Sequence, residues 1–172
     1  MIKINRDKTI TDTPVKRKRG KTRYIFQKCT IQGNVDYIFG GGSALFVECI
    51  INSIYSDEGE SYICAPCTSH LRAYGFVFYH CKINCDDSQQ NNYLGRPWRE
   101  FAKAYFINCD MSANLLENGW HYWGDDPASV QKADFRAYQA NTKLIDQYWA
   151  ISSKNIPTEL IASLQRYFNI NL

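Results

Sequence analysis

The chain has 172 residues, 45% of them apolar and 22% charged, which is enough for one domain with its own core and ordinary for a soluble globular protein. Its net charge of +3 is compatible with an acidic polysaccharide partner without demanding one. No apolar run is long enough to span a bilayer, so no membrane partner is expected.

The chain opens Met1-Ile2-Lys3-Ile4-Asn5-Arg6-Asp7, without the apolar stretch of a signal peptide. No Asn-x-Ser/Thr acceptor occurs, so glycosylation gives no hint of secretion. Residues 1–22 are polar and lead into a basic cluster, Lys16-Arg17-Lys18-Arg19-Gly20-Lys21-Thr22-Arg23. Such a cluster can bind phosphates, and a nucleic-acid-associated protein working through residues 16–23 is one reading. No aromatic residues interleave to stack on bases, so a solvated arm is favoured and no nucleic-acid partner is expected.

A repeat follows. Phe26-Gln27-Lys28-Cys29-Thr30-Ile31 returns as Phe46-Val47-Glu48-Cys49-Ile50-Ile51, as Phe78-Tyr79-His80-Cys81-Lys82-Ile83 and as Phe106-Ile107-Asn108-Cys109-Asp110-Met111. The unit is Phe-x-x-Cys-x-(Ile/Met), and its starts are 20, 32 and 28 residues apart. A fixed strand signature at variable spacing predicts a solenoid with loops of different length. Cys and the following Ile or Met share one face of a strand, whereas Phe, three residues earlier, would face the other way. A bend between them lets both point inward, which is how a parallel β-helix turns a corner. Cysteine is small and readily buried, so Cys29, Cys49, Cys81 and Cys109 are expected as an interior ladder of free thiols. With seven cysteines, at least one cannot pair within the chain. Cys85 has no assignment.

Between the first two units lies Gly33-Asn34-Val35-Asp36-Tyr37-Ile38-Phe39-Gly40. It is a strand-forming stretch with one carboxylate, and an ionised Asp in apolar company needs a cationic partner or hydrogen-bond donors. An Asp at a turn between strands is the plainer reading. Cys64-Ala65-Pro66-Cys67 fits a strand leading into a turn. It has no second Cys-x-x-Cys and no His pair at ligand spacing, so metal binding is the minority reading and no metal is expected. His70, His80 and His121 are scattered, with His80 read as an ordinary strand residue. Tyr93-Leu94-Gly95-Arg96-Pro97-Trp98 then offers a guanidinium beside Gly and Pro, with an indole two residues on. From Glu117 an aromatic loop carries Trp120 and Trp123, placed either against sugar rings or in the core. Residues 157–168 form a closing helix, with Pro157 in the first turn and Leu160, Ile161, Leu164, Tyr167 and Phe168 on one face. It is expected to lie over the end of the solenoid and cap its open strands.

The stretch Gly33 to Gly40, followed by Leu94-Gly95-Arg96-Pro97-Trp98 and by Glu117-Asn118-Gly119-Trp120, resembles the pectin methylesterase (pectinesterase) family. The resemblance runs from about Arg23 to about Trp149 and corresponds to the family's later half. It implies an all-β fold, a right-handed parallel β-helix (solenoid) with a short C-terminal helix. Residues 23–172 would be the domain, incomplete at its amino end, and 1–22 a polar arm, a remnant of a missing coil. It also implies that Asp36 is a nucleophile attacking the methyl ester of a galacturonate unit. Arg96, on a neighbouring coil, would keep that carboxylate ionised and aimed. Trp98 would offer an aromatic face to the sugar. The family's proton donor lies in a Gln-Asp-Thr-Leu motif. Its nearest counterpart is Thr11-Asp12-Thr13-Pro14, which makes Asp12 the candidate acid/base. Pro66 and Ala137 stand where the family usually has Gln and Glu. The implied partner is methyl-esterified pectin (homogalacturonan), met outside the cell or in the cell wall by a monomer that needs no cofactor. A pectin-binding remnant without turnover is the alternative. A calcium-dependent β-helix lyase is a nearer rival, but Asp86-Asp87 and Asp125-Asp126 read as solvated loop.

Overall fold

The computed structural model describes residues 3–5, 23–89, 91–122 and 130–172, with backbone alone for 3–5. The strands are β1 (Lys3–Asn5), β2 (Arg23–Gln27), β3 (Thr30–Gly33), β4 (Val35–Gly40), β5 (Ser43–Val47), β6 (Ile50–Ser53) and β7 (Glu60–Pro66). They continue as β8 (Phe76–Tyr79), β9 (Lys82–Cys85), β10 (Asn91–Gly95), β11 (Lys103–Ile107), β12 (Asp110–Met111), β13 (Asp134–Tyr138) and β14 (Ala150–Ser153), before helix α1 (Thr158–Phe168). Three sheets run along the molecule in the orders β14-β13-β11-β8-β5-β2, β1-β3-β6-β9-β12 and β10-β7-β4. Every pairing between named strands is parallel except that of β1 with β3. The result is the expected right-handed parallel β-helix, whose hand follows from the twist of its strands. From β2 to β10 each coil visits the six-, five- and three-stranded sheets in turn, and the last two strands, β13 and β14, both join the six-stranded sheet.

The Phe-x-x-Cys unit is the corner between the first two sheets. The residue just before each cysteine takes a left-handed conformation, with φ of 53° at Lys28, 51° at Glu48, 53° at His80 and 50° at Asn108. That residue is the bend required for Phe and Cys to share the interior. His80 is therefore a corner residue, not a strand residue, and its ring meets the Asn108 amide of the next corner. The phenyl rings stack down the axis at 5.0, 4.6 and 4.3 Å for Phe26–Phe46, Phe46–Phe78 and Phe78–Phe106. A fifth corner lacks the motif. Gln139 turns it with φ 52°, Ala137 pairs with Phe106, and Ala140 takes the cysteine's place. Trp120 fills the room, meeting Phe106 and Phe135 edge-on, and Trp149 packs against Phe135.

The thiol ladder is present. All seven cysteines are free, and Cys49, Cys81 and Cys109 are buried. Their thiols donate to the carbonyls of Phe26, Phe46 and Phe78, the aromatic of the preceding coil in each case. The hydrogen bond with the next thiol, Cys81 or Cys109, and burial push Cys49 and Cys81 up, and burial pushes Cys85 to about 11. Thiolate, the reactive form, is scarce at such positions. We expect a thiol reagent at pH 8 to modify the half-buried Cys67 fastest in the native chain, Cys29 and Cys85 more slowly because burial raises them, and all seven in denaturant. Mass-spectrometric mapping that finds Cys81 or Cys109 labelled as fast as Cys67 would contradict the ladder.

Helix α1 is not where the sequence reading put it. It lies on the outward face of the six-stranded sheet, where Leu164 and Phe168 pack with Leu45, Val47, Val77 and Ile107. Strict alternation explains this. In β5, Ala44 and Phe46 face the axis while Leu45 and Val47 face out, leaving an apolar sheet surface that needs a cover. Full burial of Leu164 contributes about 2 kcal/mol to that cover. Pro157 is the cap residue, just outside the helix. Arg23, the one described member of the basic cluster, lies 4.2 Å above the Tyr167 ring. No helix among the described residues is long and apolar enough to cross a membrane.

Candidate active site

Asp36 stands at a break in the ladder. β4 pairs with β7 as Val35↔Tyr62 and then Ile38↔Cys64, so Asp36 and Tyr37 together oppose one residue, Ile63. This is a β-bulge, and Asp36 accommodates it with φ 50°. The bulge breaks the two-residue alternation. Tyr37 and Ile38 both turn inward, so Asp36 and Phe39, three apart in sequence, both turn out, and Phe39 is 52% exposed. Gly33 makes room for this. A Cβ there would overlap Cβ and Cγ of Tyr37 and come within 2.9 Å of its Cδ2.

Arg96 follows β10. Its N–H donates to the Cys64 carbonyl at 3.0 Å, and the Trp98 N–H to the Pro66 carbonyl at 3.0 Å, which extends the ladder past the strand end. Gly95 lies so close to β7 that a Cβ would overlap the Cys64 carbonyl oxygen and approach its sulfur to 2.7 Å. The Asp36 and Arg96 strands are not on neighbouring coils, as the sequence reading had it; β7 lies between them. Two strand spacings of about 4.8 Å separate their backbones, a gap that only a long side chain bridges. Arg96 crosses β7 and meets Asp36 in a two-pronged pair. Nε donates to Oδ1 at 3.0 Å and to Oδ2 at 3.3 Å, and Nη2 donates to Oδ2 at 2.8 Å. Both side chains are mostly withdrawn from water, 15% and 16% exposed, so the pair is little screened and geometrically fixed.

Aromatic rings surround the pair. Trp98 meets Phe39 edge-on at 5.1 Å and 88°. Beneath the guanidinium lies Tyr62, stacked on Tyr93 at 4.8 Å, with His121 tilted against both. Burial, and then the Glu60 carboxylate to which its hydroxyl donates at 2.7 Å, push the Tyr62 phenol up, so it stays neutral. Phe39 and Tyr62 were missed by sequence reasoning. Parity sets Phe39 opposite Asp36, and only the bulge reverses that; nothing local marks Tyr62.

Of the residues singled out in sequence, Asp36, Arg96 and Trp98 come together. Asp12, Trp123 and Asp125-Asp126 lie outside the described residues. Trp120 is core, not a sugar platform. Pro66 ends β7 and offers the site a backbone carbonyl only, and Ala137 is fully buried in β13. Asp86 and Asp87 bond loop partners, Ser88 and Asn114. No His/Cys/Asp/Glu cluster of metal-binding geometry occurs among the described residues.

Chemically, the site offers a carboxylate clamped by two in-plane donors, with Tyr62 beneath the guanidinium and the Phe39–Trp98 pair close by in sequence. A carboxylate so held has a fixed aim, which nucleophilic attack requires. Fold and site together define a parallel β-helix protein with an Asp–Arg centre on its three-stranded sheet. The Pectinesterase family model matches residues 19–144, most of the chain, and the chain belongs to that family. A pectinesterase/pectinesterase inhibitor of Arabidopsis thaliana is 35% identical over 121 residues, 60% of this chain and 20% of the relative. Pectin methylesterase from carrot superposes with a TM-score of 0.71 at 21% identity, covering 86% of this chain and 49% of the carrot chain. A pectin methylesterase in complex with a hexasaccharide gives a TM-score of 0.65 at 22% identity, covering 87% and 52%. The chain thus spans a fifth to about a third of the curated relatives' length and about half that of the solved structures.

Proposed function

We propose that the chain carries the nucleophile half of an aspartyl esterase acting on methyl-esterified galacturonate units of pectin. The observation that carries this reading is the two-pronged Arg96–Asp36 pair beside Trp98 and Phe39. Membership of the pectinesterase family supports it, as does the oligosaccharide bound by a relative of the same fold.

In the proposed reaction an Asp36 oxygen bonds to the ester carbonyl carbon, and the bond from that carbon to the methoxy oxygen breaks. Methanol leaves with a proton supplied by the acid, a role assigned to Asp12. Water then cleaves the resulting anhydride, giving one proton back to the acid and one to solvent, which frees the galacturonate carboxylate and restores Asp36. Protein groups and water suffice for these steps. Arg96 holds Asp36 throughout, and Trp98 and Phe39 give the sugar a face to lie against. A substrate of this class places the action at the cell wall, outside the producing cell, with a single chain as the working unit.

Methanol release from esterified pectin tests the reading. Wild-type chain is expected to release methanol at least about a thousandfold faster than Asp36→Ala, the range seen when a nucleophile is removed. Equal rates would leave a pectin-binding protein without turnover.

A further inference from the structure

Arg96 has to cross a whole strand to reach its partner, so something on that strand must carry it. We propose that Tyr62 is a positioning residue for Arg96, a rigid aromatic floor that sets the plane of the guanidinium and thereby the aim of Asp36.

The geometry supplies two constraints at right angles. The in-plane donors Nε and Nη2 are taken by Asp36. The face of the same group is taken by the Tyr62 ring, with Cζ 3.8 Å from its centroid. In-plane bonds alone let a long side chain pivot about the Asp36 oxygens. A ring under the face removes that pivot, and a desolvated ring attracts a cation as well. Tyr62 is 1% exposed, so its ring is itself immobile.

Tyr62 is fixed from every side. Its ring lies parallel to Tyr93 at 6°, and His121 closes the far edge of both. Its hydroxyl donates to Glu60 on the same strand. Its N–H donates to the Asn34 carbonyl at 3.0 Å, and its Cα partners are Val35 on one side and Tyr93 on the other. Val35 immediately precedes the bulged Asp36, and Tyr93 lies three residues before Arg96. This one residue therefore touches the strand of the carboxylate, the strand of the arginine and the guanidinium itself. A tilt of its ring would move the guanidinium and, through it, the carboxylate that the guanidinium holds.

The geometric part stands on these contacts alone; its catalytic consequence rests on the esterase reading, and the test keeps the two apart. In a chain labelled with 15N-arginine, Arg96→Lys identifies the Arg96 Nε–H signal. In wild type that proton is expected to be shifted upfield by the ring beneath it and to exchange slowly with solvent. Tyr62→Phe keeps both properties. Tyr62→Leu moves the signal downfield and speeds its exchange about tenfold, the effect of losing a desolvated cation–ring contact. Tyr62→Met, which fills similar volume without a ring, gives the same result should the leucine variant fail to fold. In parallel, kcat for methanol release falls about tenfold in the leucine or methionine variant with KM little changed, and phenylalanine restores it.

An unshielded Arg96 signal in wild type, or one that Tyr62→Leu and Tyr62→Met leave in place, overturns the proposal whatever the activity. A signal that behaves as expected in a chain releasing no more methanol than Asp36→Ala supports the positioning role and overturns the esterase reading instead.

Discussion

A chain carrying Asp36→Asn is expected to keep its fold and to lose at least about a thousandfold in methanol release. The substitution changes almost no volume. Asn tolerates left-handed φ as well as Asp does, so the bulge at φ 50° survives. What changes is the chemistry. An amide has one acceptor oxygen in place of two, and its NH2 now faces a guanidinium N–H that is itself a donor. The second prong is lost, and a neutral amide does not attack an ester. Arg96 keeps its charge at 15% exposure with poorer partners, which costs about 1–3 kcal/mol of stability. Thermal melting measures the second effect and methanol release the first. A variant that melts within a few degrees of wild type yet retains a tenth of its rate would show that residue 36 is not the nucleophile.

Gly95→Ala should lower both stability and activity although the new methyl group touches no substrate. The added Cβ would overlap the Cys64 carbonyl oxygen and press on its sulfur, atoms fixed in a fully buried stretch of β7. The backbone must shift, and overpacking of this kind costs about 1–3 kcal/mol. The shift falls on the segment whose N–H groups anchor Arg96 and Trp98 to β7. A displacement near 1 Å at a reacting group costs about a hundredfold in rate. Gly59→Ala is the control. Its φ of 78° makes the substitution cost about 1 kcal/mol, but nothing lies within 4 Å and the site is left alone. Urea midpoints and kcat for the two variants separate the effects. Wild-type kcat in Gly95→Ala would mean that close packing against Cys64 does not place the arginine.

The repeat made the solenoid legible because its causes are local. A phenylalanine, a bend and a small buried thiol recur at fixed offsets, and neighbouring coils with the same unit stack like on like. Where that unit decays, so does the reading. The corner at Gln139, with Ala137 and Ala140 in the places of Phe and Cys, carries no signal, because Trp120 and Trp149 fill the space from elsewhere in the chain. The helix shows the same limit. Its apolar face was evident, but the surface it covers is assembled from alternate residues of strands far apart in sequence.

The sequence by itself determined the coil and the buried thiols, and its resemblance to the pectinesterase family named the two charged partners, picking Arg96 from the chain's 20 lysines and arginines. The tertiary structure alone decided how those partners meet. Strand pairing sets the bulge that turns Asp36 and Phe39 to one face, interposes β7 between the aspartate and the arginine, and thereby lays the guanidinium on Tyr62. Pairing register is a relation between distant segments, and no short stretch of residues encodes it.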